Sequence, residues 1–310
     1  MSELETISQD VKELQVDRAA DVFRELSDPI RIATIAALVK AERIGEDPLT
    51  FAELRRVVDI RDSGRFNYHL QKLHPRFVRS TEEGYRVRYA GLVAYSLVQA
   101  RTAPEDETRL EGYVDRSCPI CGEALFAEYA GDRFELACTS DECYSGQLYG
   151  GPISPAVAAD STIEELLTLS ESYFSNTIGM AQDGYCAECW GSMSIDFKIP
   201  TPPPDLPDSV DAETITETIQ TVFECERCAQ TVTIPLRIVL ADHPAVGWFH
   251  YELGNDLSEL GLTEIFSKMS VDRLDLSDDR AWIRFEQDGN FLEVSVDQTL
   301  AVYQVEMTSS

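Results

Sequence analysis

The chain has 310 residues, 44% of them hydrophobic, and its 26 Lys+Arg against 55 Asp+Glu give a formal net charge of −29. That length accommodates two or three domains. No apolar run approaches the ~18 residues of a membrane-spanning helix, and the acidic start MSELETISQD does not read as a signal peptide, so a cytoplasmic protein without a membrane partner is expected. The charge is uneven: residues 1–101 hold 16 of each sign, residues 55–101 hold ten basic and four acidic, and residues 102–310 hold ten basic and 39 acidic. The acidity thus argues against nucleic acid only downstream of residue 101, and the basic segment keeps that option open.

Val16 to Leu26 reads as a first helix with Ala19, Val22, Phe23 and Leu26 inward. Asp28-Pro29 opens a second, an N-cap followed by Pro at the first helical position, with Ile32, Ile35, Ala36 and Val39 as its apolar stripe. Thr50-Phe51-Ala52-Glu53 forms a capping box at the start of a short third helix ending near Val58. A turn over residues 59–62 follows, and Ser63 or Asp62 caps a fourth helix, SGRFNYHLQKL, residues 63–73. Phe66, Leu70 and Leu73 share one face of it, while Gly64, Asn67, Tyr68, Gln71 and Lys72 face the other way and Arg65 lies on the flank. Two short helices joined by a tight turn are a helix-turn-helix, and an outward face of amides and cations suits base edges in a major groove. His69 is expected toward the buried flank. Two strands then flank residues 81–84, and in the second Tyr85, Val87 and Tyr89 alternate with Arg86 and Arg88, which makes a wing with one apolar and one basic face. Residues 91–101 read as a closing helix.

The strings LSDPIRIATIAAL, LTFAELRRVVD, FNYHLQKL and GYRVRYAG resemble the winged helix-turn-helix of ArsR-like transcriptional regulators of halophilic archaea, over residues 15–101. The resemblance implies double-stranded DNA as partner and a homodimer formed by the first and last helices of the domain. Such a dimer places two recognition helices about one DNA turn apart. Metal-sensing members of that family carry a cysteine pair in the helix before the recognition helix; Phe51 to Asp59 holds none, so metal sensing there is not expected. Scarce lysine and abundant Asp and Glu fit a protein kept soluble in molar salt.

A polar, acidic linker is expected over residues 102–112. The eight cysteines follow at 118, 121, 138, 143, 186, 189, 225 and 228, and six of them form three C-x-x-C pairs, which in this context read as metal ligands rather than disulfides. Cys118, Cys121, Cys138 and Cys143 predict a first zinc ribbon over residues 113–150, with residues 124–130 and 134–137 as its hairpin. Cys186, Cys189, Cys225 and Cys228 predict a second over residues 184–235, with a Pro-rich insertion at residues 200–211. Cross-pairing between the two sets, and iron in place of zinc, stay open at this level, although four thiolates favour zinc.

Residues 160–180 read as one or two helices capped by Ser161 or Asp160, residues 231–240 as an apolar strand, residues 241–254 and 261–269 as helices, and residues 281–286, 291–296 and 300–306 as a meander turning at Asp288-Gly289-Asn290. His243 and His250 are expected to be packed or capping. The fold class is therefore α+β and multidomain: a winged helix-turn-helix, two four-cysteine zinc ribbons, and an α+β C-terminal domain over residues 160–310 that contains the second ribbon.

The function expected is a sequence-specific DNA-binding transcriptional regulator with two structural zinc ions. Asn67 and Gln71 would read adenine, Arg65 or Lys72 guanine or phosphate, Ser63 and the helix N-terminus phosphate, and Arg86 and Arg88 the backbone. The alternative is an adaptor for RNA polymerase and the transcription machinery, since a winged helix followed by a zinc ribbon also resembles archaeal transcription factor E. No Gly-rich phosphate loop, nucleophile elbow or H-E-x-x-H is found, so no enzyme is expected.

Overall fold

In a computed structural model, residues 16–101, 108–143, 147–201, 218–277 and 280–309 are described. The N-terminal tail, the linker positions 102–107 and positions 202–211 of the Pro-rich insertion lie outside them. The chain divides into two compact units, Met1–Pro104 and Glu105–Ser310. It is mixed α+β with several antiparallel sheets, and no helix among the described residues is long and apolar enough to cross a membrane.

The first unit runs α1 (Val16–Leu26), α2 (Pro29–Arg43), α3 (Phe51–Val57), α4 (Ser63–Leu73), β1 (Val78–Ser80), β2 (Tyr85–Val87) and α5 (Tyr89–Arg101). Its cap signals act as written in the sequence. Asp28 accepts from the Ile30 N–H at 2.9 Å, and Thr50 and Glu53 close the capping box in both directions. Asp62, not Ser63, caps α4 by accepting from the Arg65 N–H at 2.9 Å. Leu54, Phe66, Leu70 and Leu73 are fully buried, with Ile35, Leu38, Val39, Phe77 and Val78 around them. Burying side chains of this size stabilises by roughly 1.5–3 kcal/mol each. His69 is buried as expected, with Nδ1 3.3 Å from Asp28 Oδ1.

Three expectations change in this unit. Phe23 is 64% exposed rather than inward; among the described side chains of α1, which do not include Ala19, Val22 and Leu26 pack against the core. Ile32 lies on the outer side of α2, where the buried row runs through Ile30, Thr34, Ile35, Ala37, Leu38 and Val39. Tyr89 begins α5 instead of ending the second strand, and it is exposed. The Arg88 N–H still bonds across to Phe77 O, and the helix begins just beyond it, where the Gly91 and Leu92 N–H groups turn back to Arg88 O.

The second unit opens on the meander β3 (Leu110–Ser117), β4 (Ala124–Ala130), β5 (Arg133–Cys138) and β6 (Gln147–Pro152), paired in that order. The expected linker is thus already strand from Leu110. The charged residues at 111, 115 and 116 mask an alternation that buries Val114. After α6 (Pro155–Ala158), helix α7 (Ile163–Gln182) packs on this sheet through Leu166 and Leu167. Its cap is Thr162, one residue beyond the expected pair, in a capping box with Glu165.

A three-stranded sheet follows, β7 (Met193–Lys198), β8 (Gln220–Cys225) and β9 (Thr231–Pro235). The apolar run expected as a strand to residue 240 changes state at Pro235, which cannot donate to a ladder. Leu236–Val239 is helix α8, with Leu236, Ile238 and Val239 all buried. Next come α9 (Pro244–Glu252), capped by His243 accepting from the Ala245 N–H at 3.2 Å, a 3-10 turn (Leu257–Glu259) and α10 (Leu262–Lys268). The last sheet is the meander β10 (Val271–Leu276), β11 (Arg280–Gln287), β12 (Asn290–Asp297) and β13 (Val302–Ser309). Its β11–β12 turn is Asp288-Gly289, both at positive φ (51° and 74°) between the paired Gln287 and Asn290, the backbone of a type I′ hairpin.

Candidate functional site

The eight cysteines separate into two groups, Cys118, Cys121, Cys138 and Cys143, and Cys186, Cys189, Cys225 and Cys228, with all sulfurs of a group within 4.8 Å of one another. The cross-pairing left open by the sequence does not occur. In the first group the Sγ atoms of Cys118 and Cys143 lie 3.7 Å apart and those of Cys121 and Cys138 3.5 Å apart. In the second, Cys186–Cys228 and Cys189–Cys225 give the same 3.7 and 3.5 Å. A tetrahedral ion with metal–sulfur bonds of about 2.3 Å has edges of about 3.8 Å, whereas a disulfide requires about 2.05 Å. Both groups therefore fit a tetrahedral thiolate-bound metal.

The local backbone explains why. The three C-x-x-C turns share one geometry. Gly122, Trp190 and Ala229 each donate their N–H to the carbonyl of the first cysteine of their own turn, at 2.9, 2.9 and 3.1 Å. The N–H of that cysteine in turn bonds to Glu123, Gly191 or Gln230 O. All three donors sit at positive φ, 79°, 59° and 56°, which glycine tolerates and Trp and Ala adopt at a cost. The fourth pair, Cys138 and Cys143, is held by a wider loop in which the Cys143 N–H reaches Ser140 O.

Second-centre packing is tighter. A Cβ on Gly191 would lie 2.9 Å from the Arg227 Cβ and 3.0 Å from the Cys225 sulfur. Arg227 also donates to Cys189 O at 3.1 Å, tying one turn to the other. Backbone N–H groups of Cys228 and Arg227 hold the Cys225 thiol down to about 6, while burial and the neighbouring thiols push Cys138 up to about 12.

On the first unit, the face of α4 opposite Phe66, Leu70 and Leu73 is exposed: Ser63, Gly64, Arg65, Asn67, Tyr68, Gln71 and Lys72 all reach solvent. Lys72 Nζ lies 5.8 Å from the Tyr68 ring centroid. The helix N-terminus already holds an anion, because the Asp62 carboxylate accepts from the Arg65 and Gly64 N–H groups and its pKa is lowered by them. In the β1–β2 hairpin Arg86 pairs with Asp47, and Arg88 is exposed while donating to Pro75 O at 2.9 Å. Sequence reading missed Arg79. It is exposed and directly opposite Arg86 in the hairpin register, and an i/j pairing of Arg79 with Arg86 was the available signal.

Residues 115–302 match the model of a family described as a domain of unknown function, DUF7351. The chain belongs to this family. The DUF7351 stretch takes in both four-cysteine groups and most of the second unit. Residues 19–98 match a second model, DUF7347, also a domain of unknown function. The chain matches no curated protein and no solved structure.

Proposed function

We propose that this protein is a sequence-specific double-stranded DNA-binding transcriptional regulator. In this reading its first unit is a winged helix-turn-helix and its second is an acidic body built on two structural zinc ions. The observation that carries the reading is α4. Its inner face is fully buried and its outer face presents Asn67 and Gln71, one turn apart, with Arg65, Tyr68 and Lys72 beside them. An amide row on a rigidly packed helix suits bidentate pairing with adenine N6 and N7, and the cations suit guanine or phosphate. The β1–β2 hairpin is the wing. Arg79 and Arg88 are its phosphate contacts, and Arg86, already neutralised by Asp47, contributes less. With Asp62 at the N-terminus of α4, a nearby phosphate is met by the Ser63 hydroxyl rather than by the helix N–H groups. Exposed Phe23 on α1 and Leu92, Val93 and Leu97 on α5 supply apolar surface for a homodimer. The metals are zinc and structural, because four thiolates leave no open ligand position.

The test is a binding titration in molar KCl against sites selected from random duplex DNA. Gln71→Ala is expected to cost about 1–3 kcal/mol at one base position and to relax specificity there. Arg88→Ala is expected to weaken all sequences equally. The opposite pattern rejects this orientation of the helix.

A further inference from the structure

The two cysteine groups match in sulfur spacing and differ in cover. Each contains one sulfur pair at 3.5 Å. In the first group that pair is Cys121, which is exposed, and Cys138, which is half-buried. In the second it is Cys189, half-buried, and Cys225, which is buried. Cys228, the exposed ligand of the second group, has buried Cys186 beside it at 3.7 Å. Only in the first group, therefore, does an exposed sulfur belong to the closest pair, with a partner that also reaches solvent.

The backbone adds a second difference. Cys138 ends β5, where it pairs with Leu125, and the next N–H, that of Thr139, reaches Ala124 O at 3.2 Å. Cys121 sits in the facing turn. A Cβ built on its neighbour Gly122 meets no atom within 4 Å among the described residues, so this turn has room to shift. In the second group Gly191 is packed against Arg227 and Cys225. Arg227 and the Glu226 N–H also tie its two turns together through Cys189 O and Ser192 O, both at 3.1 Å. Sulfurs at 3.5 Å must close by about 1.5 Å to form a disulfide. The first group has space for that movement, and the second is braced against it.

We propose that the first cysteine group is a peroxide-responsive metal site and that the second is a permanent one. The exposed Cys121 thiolate attacks a peroxide oxygen; the O–O bond breaks, hydroxide leaves, and Cys121 becomes a sulfenic acid. The Cys138 thiolate then attacks that sulfur and displaces a second hydroxide, forming the Cys121–Cys138 disulfide. The two thiolates give up two electrons between them, and one peroxide becomes two hydroxides. Cys118 and Cys143 alone do not complete the four-ligand shell of a structural ion, so the first group releases its metal. The inference rests on the fit of both groups to a thiolate-bound metal and does not depend on DNA binding by the first unit.

The experiment treats the full metal-loaded chain in high salt with hydrogen peroxide. Pyridylazoresorcinol reads released metal, and peptide mass mapping reads the disulfides. One ion and two thiols lost per chain, a Cys121–Cys138 disulfide and retention of the second ion are expected, with recovery on adding dithiothreitol and zinc. Cys121→His replaces the exposed sulfur by a nitrogen ligand, and zinc accepts three thiolates with one imidazole. This variant should bind two ions and release the first about tenfold more slowly, since susceptibility follows thiolate exposure. The proposal is overturned if both ions stay bound in large peroxide excess, if the second group empties before or together with the first, or if the first disulfide joins another pair. Release from Cys121→His as fast as from the parent also overturns it. If Cys121→His does not take up its first ion, the disulfide map of the parent decides alone. Metal content before peroxide tests the metal reading separately, and a chain without bound metal overturns both.

Discussion

The two units solve the same problem, holding a fold together, with different physics. The first has one continuous core around Leu54, Phe66, Leu70 and Leu73 and contains no cysteine. The second divides its apolar residues between two clusters, one around Tyr129 and Phe134 and one around Phe249 and Phe285. It places a four-thiolate group at the end of a sheet beside each cluster: Cys138 ends β5 and Cys225 ends β8. Stability in the first unit is therefore expected to follow side-chain volume, and in the second to follow metal occupancy.

Metal removal breaks that comparison most strongly. Structural zinc sites contribute on the order of 10–16 kcal/mol of binding free energy at neutral pH. A strong chelator should unfold the second unit, read by loss of the near-ultraviolet signal of its tryptophans, since all three Trp lie there. The helical signal of the first unit should persist. Elemental analysis of the native protein should give two zinc per chain. Next in size is Leu70→Ala, expected to cost the first unit about 2–5 kcal/mol while leaving metal content unchanged in the same preparation.

Gly191→Ala sharpens the contrast between the two centres. The added methyl meets the Arg227 Cβ and the Cys225 sulfur at 3.0 Å or less, so the second centre should lose metal to a competing chelator sooner than the first. Gly122→Ala meets open space and only its φ of 79° opposes it, a cost of about 1–2 kcal/mol, so the first centre should be the less affected of the two.

The smallest effect concerns pH. His250 is fully buried against Phe249 and Phe285, with Nδ1 2.7 Å from Gln287 Oε1. Burial lowers its pKa, opposed by the Gln287 hydrogen bond. The unfolded chain takes up a proton near pH 6.5 and the folded chain only below that. Stability from the neutral ring is then complete above about pH 6.5 and is lost as pH falls toward the folded value, by at most about 1.4 kcal/mol per pH unit. Denaturant titrations of the parent and His250→Gln should show the shallower pH slope in the variant; equal slopes would remove His250 from this account.

Much of the first unit was legible because its helices announce themselves locally. Asp28-Pro29, the Thr50–Glu53 box and the 66/70/73 row each specify a boundary or a face without reference to the rest of the fold. The two four-cysteine groups were legible from spacing, and the cross-pairing that spacing left open is excluded in the structure by the approach of Cys118 to Cys143 and of Cys186 to Cys228. What escaped was set by tertiary packing. Val271–Leu276 became strand β10 through pairing with β11, although its charges hide any apolar face. Leu236–Val239 became helix because a uniformly apolar run carries no period to tell helix from strand.

The central claim is that α4 of the first unit reads DNA sequence. The most direct measurement is genome-wide DNA occupancy of the tagged protein in its native cell, in parallel with the Gln71→Ala variant. A small set of sharp peaks sharing an inverted repeat, redistributed by Gln71→Ala, is the predicted result. Signal spread over all active promoters and indifferent to Gln71 would contradict it and assign the first unit to the transcription machinery instead.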